Sequence, residues 1–177
     1  MQSTLYTRPQ PTGVERFFNE DDIIVSKTDL KGIITYANQV FIDIAGYNEE
    51  ELLGQPHNII RHPDMPGSVF RLLWDTISNG NECFAYVKNM SRNGDHYWVF
   101  AHVTPTFDAA GRIVGYHSNR RVPDRSAVDA VDAIYRTVLA EERRYNNRME
   151  AVDAGMRVLT AAVADAGVPY EELVFSL

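Results

Sequence analysis

The feature that most constrains this chain is the dipeptide Asn93-Gly94, set between two runs rich in β-branched and aromatic residues. Asn-Gly supplies the positive φ angles that a tight hairpin turn needs, and it is the strongest short-range hairpin signal a sequence carries. The spacing predicts a strand over Phe84 to Met90, a turn at Ser91-Arg92-Asn93-Gly94, and a long second strand over Asp95 to Phe107. Asp108-Ala109-Ala110-Gly111 then reads as a second turn, leading into a third strand from Arg112 to Arg121. Twenty-seven positions before Lys88 lies Arg61-His62-Pro63-Asp64-Met65-Pro66, a polar corner punctuated by proline beside an apolar helix. The two segments read together as walls of a pocket for a large planar cofactor.

Upstream the signals are mixed. Asp22 to Thr28, with Ile23, Ile24 and Val25, reads as a strand; Asp29-Leu30-Lys31-Gly32 reads as a turn, and Ile33 to Tyr36 as the returning strand. From Asn38 the period changes: Val40, Phe41, Ile44 and Ala45 recur at helical spacing until Gly46 stops them. A short acidic-fronted helix follows at Asn48 to Gly54, then a one-turn segment between Pro56 and Asp64. Met65-Pro66-Gly67-Ser68 opens a longer helix whose apolar face carries Val69, Phe70, Leu72, Leu73, Trp74 and Ile77, ending near Asn79-Gly80. Val14, Phe17 and Phe18 are spaced for one helical turn in an otherwise loose N-terminal arm.

Two strands, several short helices, then three strands define an α+β fold: a five-stranded antiparallel sheet with short helices on one face and a hollow between them. The expected divisions are an arm and cap over residues 1–20, a sensor-sized domain over 21–123, and a C-terminal helical extension over 124–177. In the extension Val128, Val131, Ile134, Tyr135, Val138 and Leu139 form an apolar stripe, with a break expected at Gly155. Two readings of that stripe stand side by side: a dimer contact, or packing back on the chain's own sheet. Tyr170 to Leu177 reads as an apolar tail.

Composition excludes several function classes. A net charge of -7 with no basic block argues against nucleic acid as a partner. The single cysteine, Cys83, rules out an internal disulfide and suits a reducing cytoplasm. No stretch of 18 apolar residues occurs, so no transmembrane helix is expected. No GxSxG, P-loop, HExxH or CxxC pattern is present, and neither the His57/His62 nor the His96/His102 spacing is a metal signature, so no enzyme activity and no metal site are expected.

Three stretches carry a family resemblance: Ile34-Thr35-Tyr36-Ala37-Asn38, Gly54 through Pro66, and Val87-Lys88-Asn89 through Asn93-Gly94-Asp95-His96-Tyr97-Trp98-Val99. Over about 100 of its 177 residues, Asp22 to Arg121, the chain resembles a PAS domain, and most closely the sensory PAS of the bacterial aerotaxis-receptor type. The resemblance implies a PAS fold that binds FAD non-covalently between sheet and short helices. It implies binding roles for Asn38, Arg61, His62, Asp64, Phe70, Trp74 and Asn89. The residues agree in chemistry. The Asn89 amide offers donor and acceptor to a pyrimidine edge; Phe70 and Trp74, four apart on one helix, share a face for stacking; the Arg61 fork suits a pyrophosphate; His62 and Asp64 hold the corner or contact the ribityl or adenosine part. His117 joins them as a second polar group on the sheet that senses protonation of the reduced ring.

Each has a simpler alternative. Phe70 and Trp74 read equally as core, Arg61 and Asp64 as a surface ion pair, Asn89 as a turn cap, and His62 as a structural hydrogen-bonding residue. The reactive cysteine of blue-light flavin domains is lacking between His57 and Met65, which argues against photoadduct chemistry. The expected function is a soluble cytoplasmic redox or oxygen sensor that signals to a chemoreceptor or kinase, with a homodimer through the N- and C-terminal helices. The alternatives are haem sensing through His57 or His62, and a cofactor-free interaction module whose hollow is filled by Phe41, Phe70, Trp74 and Tyr97.

Overall fold

The computed structural model describes residues 8–177, so the first seven positions of the expected N-terminal arm lie outside the described residues. One five-stranded antiparallel sheet organises the chain, in the order β2-β1-β5-β4-β3. Its strands are β1 (Ile24–Thr28), β2 (Ile34–Ala37), β3 (Cys83–Met90), β4 (His96–Phe107) and β5 (Ile113–Arg121). The register pairs Asn89 with Tyr97 and Ala101 with Arg120, and it pairs Ser26 with Ser118. Gly94 closes the β3–β4 turn with φ +93, and a Cβ there would lie 2.1 Å from the Gln10 carbonyl oxygen of the arm crossing above. Both its conformation and its crowding exclude a side chain.

Between β2 and β3 run α1 (Gln39–Ala45), α2 (Glu49–Leu52), a 3-10 turn (His57–Ile60) and α3 (Gly67–Ser78). Asn38 caps α1, accepting from the Phe41 amide at 3.1 Å. Packed against the inner face of the sheet, this layer buries Ile24, Ile34, Phe41, Leu52, Ile60, Met65, Val69, Tyr97 and Val99.

The C-terminal extension folds back onto its own domain as α4 (Arg125–Glu142), α5 (Arg148–Ala166) and α6 (Tyr170–Ser176). The α4 stripe is spent on the outer face of the sheet: Tyr135 stacks on Trp98 and donates its hydroxyl to the Tyr86 carbonyl at 2.9 Å. Phe175 of α6 meets Phe84 and Phe100 edge-on beside it. α5 crosses to the other side and packs along α3.

Two expectations are corrected. Val14 to Phe18 is not helical but extended: the Arg16 amide donates to the His96 carbonyl and the His96 amide to the Val14 carbonyl. It fills the stretch of β4 edge beyond the reach of β5, whose pairing with β4 begins only at Phe100. Gly155 breaks no helix; the break falls before Asn147, whose side chain caps α5, and Gly155 instead lets α5 approach Glu142. The apolar tail, which the sequence left without a secondary-structure assignment, forms α6.

Candidate cofactor cavity

Strand alternation puts Ser26 and Thr28 of β1, Val87 and Asn89 of β3, Ala101 and Val103 of β4, and Tyr116, Ser118 and Arg120 of β5 on one inner face. Opposite stand the 3-10 turn and α3. Between them lies a cavity of about 540 Å³, inside the ~300–1,000 Å³ range of small-molecule sites. Pro56, His57, Arg61, Phe70 and Trp74 form the helical wall, and α5 adds Arg148, Met149 and Val152.

Of the eight residues singled out in the sequence, four bring side-chain chemistry to this wall: Arg61, Phe70, Trp74 and Asn89. Arg61 lays its guanidinium 4.5 Å over the Phe70 ring and donates to the Met65 carbonyl at 2.8 Å. It is not paired with Asp64, and burial lowers its pKa, with Glu142 raising it and Arg148 and Arg8 lowering it. Trp74 is 37% exposed, too open for a core residue, and stands edge-on to Tyr116 at 5.3 Å. Asn89 is 4% exposed and does not cap the turn, a task that Asn93 and Ser91 perform. Among the described residues its amide side chain has no hydrogen-bond partner.

The other four are placed elsewhere. Asn38 is consumed in the scaffold: it accepts from the Val25 and Phe41 amides and donates to the Ile23 carbonyl, locking β1 to α1. His62 is buried beside His96, and its Nδ1 accepts from the Asp64 amide at 3.0 Å. Burial, then Lys88, lowers the His62 pKa to about 4, so the ring is neutral. Asp64 turns away from the cavity to Arg143 of α4 at 2.9 Å and Lys88 at 3.9 Å. His117 reaches the cavity wall from the wrong parity: it lies between inner-facing Tyr116 and Ser118, and its ring bonds Asn119 at 3.0 Å on the outer face.

The sequence reading passed over the polar end of the cavity. Arg120 is 2% exposed; its Nη2 donates to the Ser26 hydroxyl at 2.6 Å, while Nε and Nη1 are enclosed without a partner among the described residues. Its guanidinium lies 4.4 Å from the centre of the Phe41 ring. The Ser26 hydroxyl also lies within hydrogen-bond distance of His57 Nε2, at 3.0 Å. His57 stacks on Phe41, lines the cavity, and has its pKa lowered to about 3 by burial and then by Arg120. Burial likewise lowers Arg120 to about 10, so it stays charged at neutral pH. The signal for Arg120 was available: an arginine at the same strand parity as Tyr116 and Ser118 is a charge on a core-facing position.

An antiparallel sheet covered by short helices, around a cavity with apolar walls and a few convergent polar groups, is an arrangement suited to enclosing a small molecule. Residues 34–120 match the family model described as PAS fold. Over 121 residues, 68% of its length, the chain is 42% identical to the aerotaxis receptor of Escherichia coli K12, covering 24% of that protein. It is 26% identical over 141 residues to the nitrogen fixation regulatory protein of Klebsiella pneumoniae, covering 80% of this chain and 26% of that one. It is also 26% identical over 132 residues to the biofilm dispersion protein BdlA of Pseudomonas aeruginosa, covering 74% and 29%. The chain thus spans about a quarter of the length of these relatives. The dark structure of the blue-light photoreceptor Aureochrome1 LOV superposes with a TM-score of 0.56 at 20% identity, covering 60% of this chain and 80% of that one.

The chain belongs to the PAS family, and over 121 residues it is similar to the aerotaxis receptor. Among the described residues no group of three metal-ligating side chains converges, and no helix is long and apolar enough to cross a membrane.

Proposed function

We propose that this chain is a flavin-binding PAS sensor of redox state or oxygen, holding FAD between its sheet and α3 and signalling from the cytoplasm to a chemoreceptor-type or kinase partner. The observation that carries the reading is the cavity of about 540 Å³ lined by Phe70 and Trp74 for a flat ring and by an unpartnered, buried Asn89 amide for a polar edge. Supporting it, the residues of highest resemblance to the aerotaxis type, around Arg61 and Asn89, are brought together by an isolated bridge between those two residues. Arg61 and Arg148 give the α3–α5 side of the cavity a positive character suited to a diphosphate.

A bound flavin supplies an electron acceptor whose charge and protonation change on reduction. The chain's part is to hold the ring and to hold α3 and α5 against it. A redox change shifts the position of those helices only through contacts that differ between the two forms. Asn38, His62 and Asp64 serve this reading as positioning residues, fixing β1 to α1 and the corner to α4.

The haem alternative has less support. The Nε2 of His57 is committed to Ser26, and the ring of His62 is not among the cavity-lining groups. The test is an absorbance spectrum of freshly purified protein, before and after dithionite. Flavin bands that bleach, with FAD released on denaturation, are expected. A protein with no flavin absorbance and no flavin released overturns the proposal, and a Soret band replaces it with haem.

A further inference from the structure

Outside residues 34–120 of the PAS match, the chain adds one more wall to the cavity. Arg148, Met149 and Val152 of α5 line it beside Arg61 and Gly67. The approach is close. A Cβ built on Gly67 would lie 2.8 Å from Val152 Cγ2 and 3.8 Å from Arg61 Nη2, so α5 meets the wall next to Arg61. Two side chains on this wall are left open. Met149 is 75% exposed, a large apolar group at the edge of an apolar cavity. Arg148 is exposed and makes no hydrogen bond or ion pair among the described residues. It is also a cation in the first turn of a 19-residue helix, where the macrodipole favours anions. Together with Arg8 it lowers the Arg61 pKa, behind burial and against Glu142. The nearby acids are spent elsewhere, Glu142 on the Gly67 and Ser68 amides and Asp153 on Arg71. Asn147 already takes the Met149 and Glu150 amides, so the open groups are the side chains and not the helix end.

We infer that α5 is the seat for the outer half of a dinucleotide, with Arg148 facing its diphosphate and Met149 its adenosine. The inference rests on the flavin reading for the identity of the ring, and it assigns the part of the molecule beyond the ring to the C-terminal extension. Phe70, Trp74 and Asn89 suit the flat heterocycle; α5 reads what is attached to it. An arginine offers a planar fork that matches paired phosphate oxygens. A methionine offers a flexible, polarisable surface that suits the face of a purine. Both side chains line the cavity and are exposed, so a ligand entering it meets them directly. Selectivity follows from this placement. A ring with only a ribityl chain leaves Arg148 and Met149 unused, whereas a dinucleotide engages both. The site therefore prefers FAD to riboflavin, and the preference resides in a segment that the PAS match does not include.

The experiment uses the full chain, stripped of bound ligand, as wild type, Arg148→Gln and Met149→Ala. FAD and riboflavin are titrated by their fluorescence and ADP by calorimetry, and each apo protein is melted. Both positions are exposed, so both variants are expected to melt within about 2 °C of wild type. Wild type is expected to bind FAD about tenfold or more tighter than riboflavin. Arg148→Gln is expected to lose about tenfold in FAD affinity, the scale of one charge-assisted hydrogen bond, and Met149→Ala roughly threefold. Riboflavin affinity is expected to stay the same in both. An Arg148→Gln protein that keeps the wild-type ratio of FAD to riboflavin affinity overturns this inference and leaves the flavin reading standing. Wild type that binds ADP but neither flavin, with ADP binding lost in Arg148→Gln, overturns the flavin reading and keeps the diphosphate seat. With no flavin bound, ADP binding that is absent or survives Arg148→Gln overturns both.

Discussion

Glu142, the last residue of α4, accepts a hydrogen bond from the backbone amide of Ser68 at 2.8 Å, across 74 positions of sequence. Its second carboxylate oxygen takes the amide of Gly67 at the same distance. α3 begins with Gly67 and has no side-chain cap of its own, so an acidic residue from the C-terminal extension supplies one. The helix that carries Phe70 and Trp74 is therefore anchored by a segment outside the PAS match.

Replacing Glu142 by Gln leaves one acceptor and places an NH2 against the second amide. Loss of a cap typically costs ~0.5–2 kcal/mol, and burial puts this site in the upper half of that range. Urea denaturation of Glu142→Gln is expected to show a lower midpoint with an unchanged slope. An unchanged midpoint would mean that the latch contributes nothing.

Gly155→Ala offers a sharper contrast. In an ordinary helix interior this change stabilises by roughly 0.5–1 kcal/mol. Here the new Cβ would lie 2.5 Å from Glu142 Oε1, 2.7 Å from its Cγ and 2.9 Å from Ser68 Oγ. Glu142 is pinned by two hydrogen bonds and cannot move aside without releasing α3. A net loss of about 1–3 kcal/mol is expected, as for overpacking in a core. A thermal melt that rises instead would show that the α4–α5 contact yields freely.

The acid limb of stability is set in part by His57. In the fold its pKa is lowered from 6.5 to about 3, first by burial and then by Arg120. Between those values the unfolded chain binds a proton that the native chain refuses, so stability is full above pH 6.5 and falls as pH drops toward 3. At ~1.4 kcal/mol per pH unit, moving to pH 5 removes about 2 kcal/mol through this residue alone. His62, lowered to about 4, acts in the same direction over a shorter window. Denaturation midpoints of His57→Gln at pH 7 and pH 5 should differ less than those of wild type; equal differences would refute the assignment.

Asn89→Ala separates fold from binding. The amide has no partner among the described residues, so its removal is expected to leave the melting temperature of the apo protein within about 2 °C, on the scale of a few tenths of a kcal/mol. Retention of FAD should fall about tenfold, ~1.4 kcal/mol, the size of one lost hydrogen-bonding group. Full retention would place the polar edge of the ligand elsewhere.

The sheet was legible because its turns are local. Asn93-Gly94 and the Asp108 to Gly111 turn set three strands within a residue of their observed ends. The short helices were legible from their stops, such as Gly46. The arm was misread because Val14, Phe17 and Phe18 carry helical spacing, while the backbone partner that holds them extended, His96, is 80 residues away. His117 is among the lining residues, while its ring bonds Asn119 on the outer face. Side chains alternate along a strand, so one residue of parity separates the cavity wall from the outer face, and Arg120 has the parity that His117 lacks.

By itself the sequence determined most of the strand and helix segments and several of the residues that line the cavity, since periodicity and turn chemistry act over a few residues. Which of those residues face the same space was decided by the tertiary structure alone. Pairing register and the return of α4 and α5 join groups dozens of positions apart, and no local pattern records that an arginine on the last strand is left without an anion.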